Sequence, residues 1–264
     1  MTGLSSHRAR KRFGQNFLID QGVIERIVAA INPRGEDNLV EIGPGQGALT
    51  GLLLAANPRL TAIELDRDLA ALLRAKFAAY PDFRLIEQDA LKVDFNSLAG
   101  GRPLRVVGNL PYNISTPLIF HLLAHAGIIR DMHFMLQREV VERMAAEPGS
   151  KSYGRLSVAV QYLCRVDYLF GVPPGAFFPA PKVESAIVRL SPHAIKPMEA
   201  SDPARFFELV NLCFQQRRKT LRNNLKPWAR DHDLDALGID LGRRPETLSV
   251  AEFVELSNRL APSP

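Results

Sequence analysis

With 264 residues, 46% of them hydrophobic and 23% charged, the chain can bury a real core, and its composition excludes a disordered or fibrous protein. A formal net charge of +5 favours polyanionic partners, while the only two cysteines, Cys164 and Cys213, lie in apolar settings outside any C-x-x-C. That argues against a disulfide framework or zinc site and suits a reducing cytosol; without a run of ~18 apolar residues or an apolar stretch behind the basic N-terminus, neither a membrane span nor a secretory signal is expected.

Residues 7–12 carry Arg8, Arg10, Lys11 and Arg12, which by themselves read as a solvated tail. Phe13-Gly14-Gln15-Asn16-Phe17-Leu18 follows, with aromatics and amides that suit an ordered segment. Asp20 can cap a helix whose apolar face is Val23, Ile24, Ile27, Val28 and Ile31, ended by Asn32-Pro33. Strand-like and helical patterns then alternate. Residues 39–42 are a strand leading into V-E-I-G-P-G-Q-G-A-L-T and a helix through Leu54; 60–65 a strand before a helix over 68–79; 83–87 and 104–107 the third and fourth strands. A turn at Asn109 passes into a helix around 117–125, with Ser115 or Thr116 as cap, and 132–136 is a fifth strand. This repetition predicts a parallel sheet with helices on both faces. Residues 166–172 and 183–190 read as a hairpin added at its edge, joined by a Pro-rich loop. Beyond a change of composition near 193–203, every pattern is helical: 203–214 behind Asp202, 220–225, and 249–260 with a Ser249/Glu252 capping box. The expected division is a sheet domain over 1–195 and a small all-helical domain over 196–264.

Gly43, Gly45 and Gly47 allow a sharp strand-to-helix turn that a ligand can approach closely. Such a turn alone suits either a nicotinamide dinucleotide or S-adenosylmethionine, and it has a purely structural reading as well. In an open parallel sheet the ligand lies beyond the strand ends, where Glu64 can accept both ribose hydroxyls and Asp89 an adenine amino group. The spacing here is G-x-G-x-G rather than the dinucleotide G-x-G-x-x-G.

Asn109-Leu110-Pro111-Tyr112 separates the two cofactors better. An exocyclic adenine amine is a poor nucleophile because its lone pair is delocalised into the ring. Acceptors placed against its two N–H bonds, Asn109 Oδ1 and the Leu110 carbonyl, favour a pyramidal nitrogen. Pro111 stiffens the turn, and Tyr112 offers a face for an extruded base, worth roughly 1–3 kcal/mol. Catalysis is then mainly orientation and electrostatics. A second aromatic, from F-F-P-A-P-K-V, can complete the sandwich around the base; spacing does not distinguish Phe177 from Phe178.

R-K-R-F-G-Q-N-F-L, V-E-I-G-P-G-x-G-A-L-T, I-E-L-D-R-D, G-N-L-P-Y-N-I-S-T-P, Y-G-R-L-S-V, F-x-P-x-P-K-V-x-S and Q-R-R-K-T-L-R-N-N-L occur in that order over nearly the whole chain. The set resembles the ribosomal RNA adenine dimethyltransferases, most closely their bacterial small-subunit (kasugamycin-resistance) branch. The resemblance implies a Rossmann-like class I fold. It also implies S-adenosylmethionine as cofactor, S-adenosylhomocysteine as product, and N6,N6-dimethylation of two adjacent adenosines in the 3′-terminal hairpin loop (helix 45) of 16S rRNA. It maps cofactor contacts onto Asn16, Leu18, Gly43, Glu64, Asp89 and Asn109, to which the glycine turn adds Gly45. It selects Phe177 as the second aromatic and makes residues 13–18, within the basic N-terminal segment 1–18, an active-site lid. The implied substrate is the immature small ribosomal subunit, late in its assembly, and a monomer is expected. Arg217, Arg218, Lys219, Arg222 and Lys226, with the basic N-terminus, are expected on RNA phosphates. Alternatives are an assembly factor whose binding outweighs its methylation, a large-subunit rRNA methyltransferase, a nicotinamide dehydrogenase and a DNA adenine methyltransferase.

Overall fold

The structure is a computed structural model that describes residues 16–112, 114–229, 234 and 238–260. Its strands are β1 (Phe17–Leu18), β2 (Asn38–Ile42), β3 (Thr61–Glu64), β4 (Arg84–Glu87), β5 (Leu104–Asn109), β6 (Ile129–Gln137), β7 (Cys164–Val172), β8 (Phe177–Phe178) and β9 (Ser185–Pro192). Seven of them form one sheet in the order β4-β3-β2-β5-β6-β9-β7, and β1 pairs with β8 in a two-stranded ribbon. From β4 to β6 the neighbours are parallel, and β9 returns antiparallel to β6. β7 lies beyond β9 at the sheet edge, as the sequence pattern implies. The central strands β2 and β5 are buried along nearly their whole length, which is why they read as continuous apolar runs. After β2 the chain steps outward to β3 and β4, then back across to β5. The carboxyl ends of β2 and β5 therefore form a topological switch point, where open α/β sheets bind ligands.

The helices are α1 (Gln21–Ile31), α2 (Thr50–Ala56), α3 (Arg67–Lys76), α4 (Phe95–Ala99), α5 (Ser115–Leu123), α6 (Arg138–Met144), α7 (Arg155–Leu163), α8 (Pro203–Gln215), α9 (Leu221–Asn224) and α10 (Val250–Arg259). Asp20 caps α1 as expected, accepting from Val23 N at 2.9 Å, and Asn32 ends the helix in the left-handed region. Asp202 caps α8, and Ser249 with Glu252 closes the capping box of α10. α3 stops at Lys76, short of the expected residue 79, because Phe77 leaves helical geometry. Ser115 is not a cap. It is the first residue of α5, and its hydroxyl donates back to the Tyr112 carbonyl at 3.1 Å. α4, α6 and α7 are not among the helices expected from the sequence, although Asp94 and left-handed Gly100 mark the ends of α4.

Contacts divide the chain into two compact units. One contains the described residues up to Val141 with Asp167–Pro192; the other contains Glu142–Val166 with the described residues from His193. The boundary expected at residue 195 leaves 142–166 with the sheet, whereas α7 in this segment packs on α8 and α10. The core of the second unit joins Tyr153, Val158 and Tyr162 to Phe206, Leu209, Cys213 and Phe253. Among the described residues no helix is long and apolar enough to cross a membrane.

The sheet of the first unit is tied at its amino-terminal end by Arg105 of β5, only 6% exposed. Its guanidinium binds Asp37 at 2.6 Å and Asp131 at 3.0 Å, and donates to the carbonyls of Ile31 and Asn32 at the end of α1. One cation thus satisfies two carboxylates and two helix-end carbonyls. Removing one partner of such a buried group leaves uncompensated charge. Arg105→Met is expected to cost about 3–5 kcal/mol in chemical denaturation. A triple variant that also carries Asp37→Asn and Asp131→Asn should recover most of that loss.

Candidate active site

Between the ends of β2 and β5 lies a cavity lined from four strand ends and from β1. Asn16, Leu18, Gly43, Gly45, Glu64, Asp89, Asn109, Leu110 and Tyr112 all face it. Every cofactor residue expected from the sequence, and three of the four expected at the reacting base, therefore meet in one place.

The glycine turn fits this position for a specific reason. Gly45 has φ +59°, which other residues adopt at a cost, and a Cβ on it would lie 3.3 Å from the Phe17 ring. Its N–H donates to Glu64 Oε2 at 3.2 Å, while Asp66 N donates to Glu64 Oε1 at 2.9 Å. Two backbone donors thus aim the carboxylate, and each oxygen keeps a lone pair for a ligand hydroxyl. Burial raises the pKa of Glu64, and the hydrogen bonds from Asp66 and Gly45 oppose that shift. Asp89 is half-buried, lines the cavity and accepts from Leu91 N through Oδ1 at 3.0 Å.

Asn109 closes β5, and its neighbour Gly108 explains how it comes so close to the glycine turn. A Cβ at Gly108 would stand 2.4 Å from the Ile42 carbonyl oxygen, so only glycine lets β5 lie there against β2. Asn109 Nδ2 donates to the Asn16 carbonyl at 3.3 Å, leaving Oδ1 to accept. Leu110 N donates to the Met135 carbonyl of β6 at 3.2 Å. The Tyr112 hydroxyl shares a 2.6 Å hydrogen bond with Ser185 Oγ, which is fully buried at the start of β9. Burial pushes the Tyr112 phenol above its ordinary pKa, with the Ser185 bond pulling the other way. It stays neutral at physiological pH, so what it offers a ligand is a flat face and not a base.

Phe177, the stacking residue that the family motif implies, is not among the residues that line the cavity. It is 3% exposed and packs in the core with Leu18, Val172 and Ile187. Its neighbour Phe178 is 71% exposed. Arg8, Arg10, Lys11 and Arg12 lie outside the described residues. Arg217 pairs with Glu246 at 2.8 Å and donates to the Lys151 carbonyl, so it braces its own unit. Arg218, Lys219, Arg222 and Lys226 are exposed on that unit.

Glu41 is not among the residues expected from the sequence. It is buried inside β2, lines the cavity, and accepts from Thr50 Oγ1 at 2.7 Å. Burial pushes its carboxyl up to about 7; the Thr50 hydrogen bond counters this, and nearby Glu64 adds to it. Position was the available signal, since a carboxylate inside an apolar strand next to a ligand turn needs a partner. Glu41, Glu64, Asp66 and Asp89 line the cavity, and among the described residues no lysine or arginine does. That set of acceptors fits S-adenosylmethionine, whose sulfonium and ammonium are cationic and whose ribose offers hydroxyls. It opposes a pyrophosphate.

Comparison with known proteins agrees with this geometry. The family model described as "Ribosomal RNA adenine dimethylase" matches residues 6–262. A "Ribosomal RNA small subunit methyltransferase A" from Saccharophagus degradans is 61% identical over 98% of this chain and 97% of its own length. The protein of that name from Pseudomonas aeruginosa is 60% identical over 100% and 99%. Among solved structures, a dimethyladenosine transferase from Plasmodium falciparum superposes with TM-score 0.78 at 27% identity, covering 91% of this chain and 95% of that one. The 23S rRNA methyltransferase ErmE gives 0.73 at 28%, covering 93% and 99%.

Below pH 7 Glu41 is mostly neutral and gives a cation little; above it, the carboxylate is present. Affinity for S-adenosylmethionine should therefore rise between about pH 6 and pH 8, with proton release near neutrality. Calorimetry in buffers of different ionisation heat measures both, and Glu41→Gln should flatten the rise.

Proposed function

The chain belongs to the ribosomal RNA adenine dimethylase family, and from that we propose that it dimethylates N6 of two adjacent adenosines in the 3′-terminal hairpin loop (helix 45) of 16S rRNA. We place this in the cytoplasm, on the immature small ribosomal subunit, with the enzyme acting as a monomer. The names of the relatives at 61% and 60% identity support the small-subunit branch. The observation that carries the chemistry is the Asn109–Tyr112 turn, held at the switch point with Oδ1 of Asn109 left as an acceptor.

S-adenosylmethionine, when bound, supplies an electrophilic methyl group on a sulfonium. The chain supplies position. Glu64 accepts from the ribose hydroxyls, Asp89 from the adenine amino group, and Glu41 compensates positive charge, while the glycine turn lets the ligand lie against backbone. Asn16 and Leu18 cover it from the β1 side. At the substrate, Asn109 Oδ1 and the Leu110 carbonyl accept from the two N–H bonds of the exocyclic amine, so that its lone pair turns away from the ring. Tyr112 stacks on the base. Once methylated the nitrogen is a strong acid and gives its proton to these acceptors and then to water, so no strong base is needed. Arg218, Lys219, Arg222 and Lys226, with Arg8, Arg10, Lys11 and Arg12, contact RNA phosphates. Arg217, already engaged by Glu246, serves chiefly to brace its unit.

The test is tritiated methyl transfer from S-adenosylmethionine to unmethylated small subunits, followed by nucleoside analysis. Label in N6,N6-dimethyladenosine at adjacent positions of 16S rRNA is expected; label confined to 23S rRNA, or none, contradicts the reading. Asn109→Ala should lower the rate by about 100-fold, the scale for losing one preorganised polar group at a reacting centre. Calorimetric affinity for the cofactor should change far less.

A further inference from the structure

The ribbon formed by β1 and β8 has two faces, set by its register. Leu18 pairs with Phe177 and Phe17 with Phe178. Cross-strand partners share a face, and successive residues alternate. Leu18 and Phe177 take the buried face, at 6% and 3% exposed, where Leu18 also borders the cavity. Phe17 and Phe178 take the other face. Phe17 lines the cavity, next to Gly45, whereas Phe178 is 71% exposed. Ile19, two residues beyond Phe17 and so on its side, is 58% exposed and held to the ribbon by its N–H on the Ala176 carbonyl at 2.8 Å. The outcome is an apolar face that begins inside the cavity and continues out of it onto an aromatic ring in water. Lys182, in the same loop as Phe178, is also exposed.

We propose that Phe178 and Ile19 form a platform for the unpaired base next to the one held in the cavity, so that the site grips two neighbouring nucleotides of an RNA strand. This rests on the RNA-methyltransferase reading above. A nucleobase suits this surface because every base has a π-face that stacks on an aromatic ring without demanding hydrogen bonds. Continuity favours it too: Phe17 belongs to the cavity, and its cross-strand partner is one strand spacing away, ~4.7–4.9 Å. A nucleotide leaving the cavity along this ribbon meets Phe178 next. The phosphate between the two bases would find Lys182 as its nearest cation on that loop.

The test compares the wild type with Phe178→Ala, Phe178→Leu and Phe178→Tyr on unmethylated small subunits. The side chain is exposed, so thermal unfolding should be the same for all four, and calorimetric affinity for S-adenosylmethionine should be unchanged. Phe178→Ala should raise KM for the subunit ~10-fold, within the range for losing one stacked base. Phe178→Tyr should restore it and Phe178→Leu should not. Wild-type KM in Phe178→Ala, or equal rescue by leucine and tyrosine, overturns the platform. A wild-type dimer that Phe178→Ala converts to monomer also overturns it, since the face would then bind a second copy. Absence of methyl transfer by the wild type would count against the proposed function, a separate result.

Discussion

One hydrogen bond, from Asn109 Nδ2 to the carbonyl of Asn16, decides which atom of that amide is left to accept a hydrogen bond, and on the proposed function that acceptor meets the substrate amine. The rest of the site is arranged so that this bond can form. Gly108 lets β5 approach the Ile42 carbonyl, Leu110 is held by Met135 on β6, and Tyr112 is held by Ser185 on β9 and Ser115 on α5. The turn is fixed from three directions by groups outside it. On the proposed function, preorganisation of this kind lowers a barrier because the acceptors need not move when the amine arrives.

Electrostatics supplies the second constraint. A cavity lined by four acidic residues and, among the described residues, no basic one stores a cost that a cation relieves. Glu41, its carboxyl pushed to about 7 by burial, is where that cost is greatest. The glycine turn thus belongs to a methyl donor here, although the same turn in another electrostatic setting holds a pyrophosphate. At the opposite end of the strands the sign is balanced locally, with Arg105 between Asp37 and Asp131 and Arg130 as a second cation on Asp37. One end is neutralised for stability, and the other is left unbalanced for a ligand.

The legible parts of the sequence were the local ones. Asp20, Asp202 and Ser249/Glu252 announce helices within four residues of themselves, and G-x-G-x-G and N-L-P-Y are turns whose chemistry is written in consecutive positions. Glu64 and Asp89 followed from strand ends. What stayed hidden depended on pairing between distant segments. Whether Phe177 or Phe178 faces outward is set by the register with Phe17 and Leu18, some 160 positions earlier, and a shift of one residue exchanges them. The family motif implies Phe177 as the stacking residue, and the ladder gives it the buried face. Ser185 was visible only as the end of a motif, and its bond to Tyr112 spans 73 positions. α7 was missed because Val158, Ala159, Val160 and Tyr162 are all buried, which blurs the helical period. Arg217 looked like its basic neighbours, and only the fold brings Glu246 to it.

The most direct measurement of the central claim is a crystal structure with S-adenosylhomocysteine and adenosine bound. The account predicts the adenine amino nitrogen within hydrogen-bond distance of both Asn109 Oδ1 and the Leu110 carbonyl, with the Tyr112 ring stacked on the base and Nδ2 still on Asn16. An Asn109 amide turned so that Nδ2 faces the base, or an adenine amine bound elsewhere in the cavity, would contradict it.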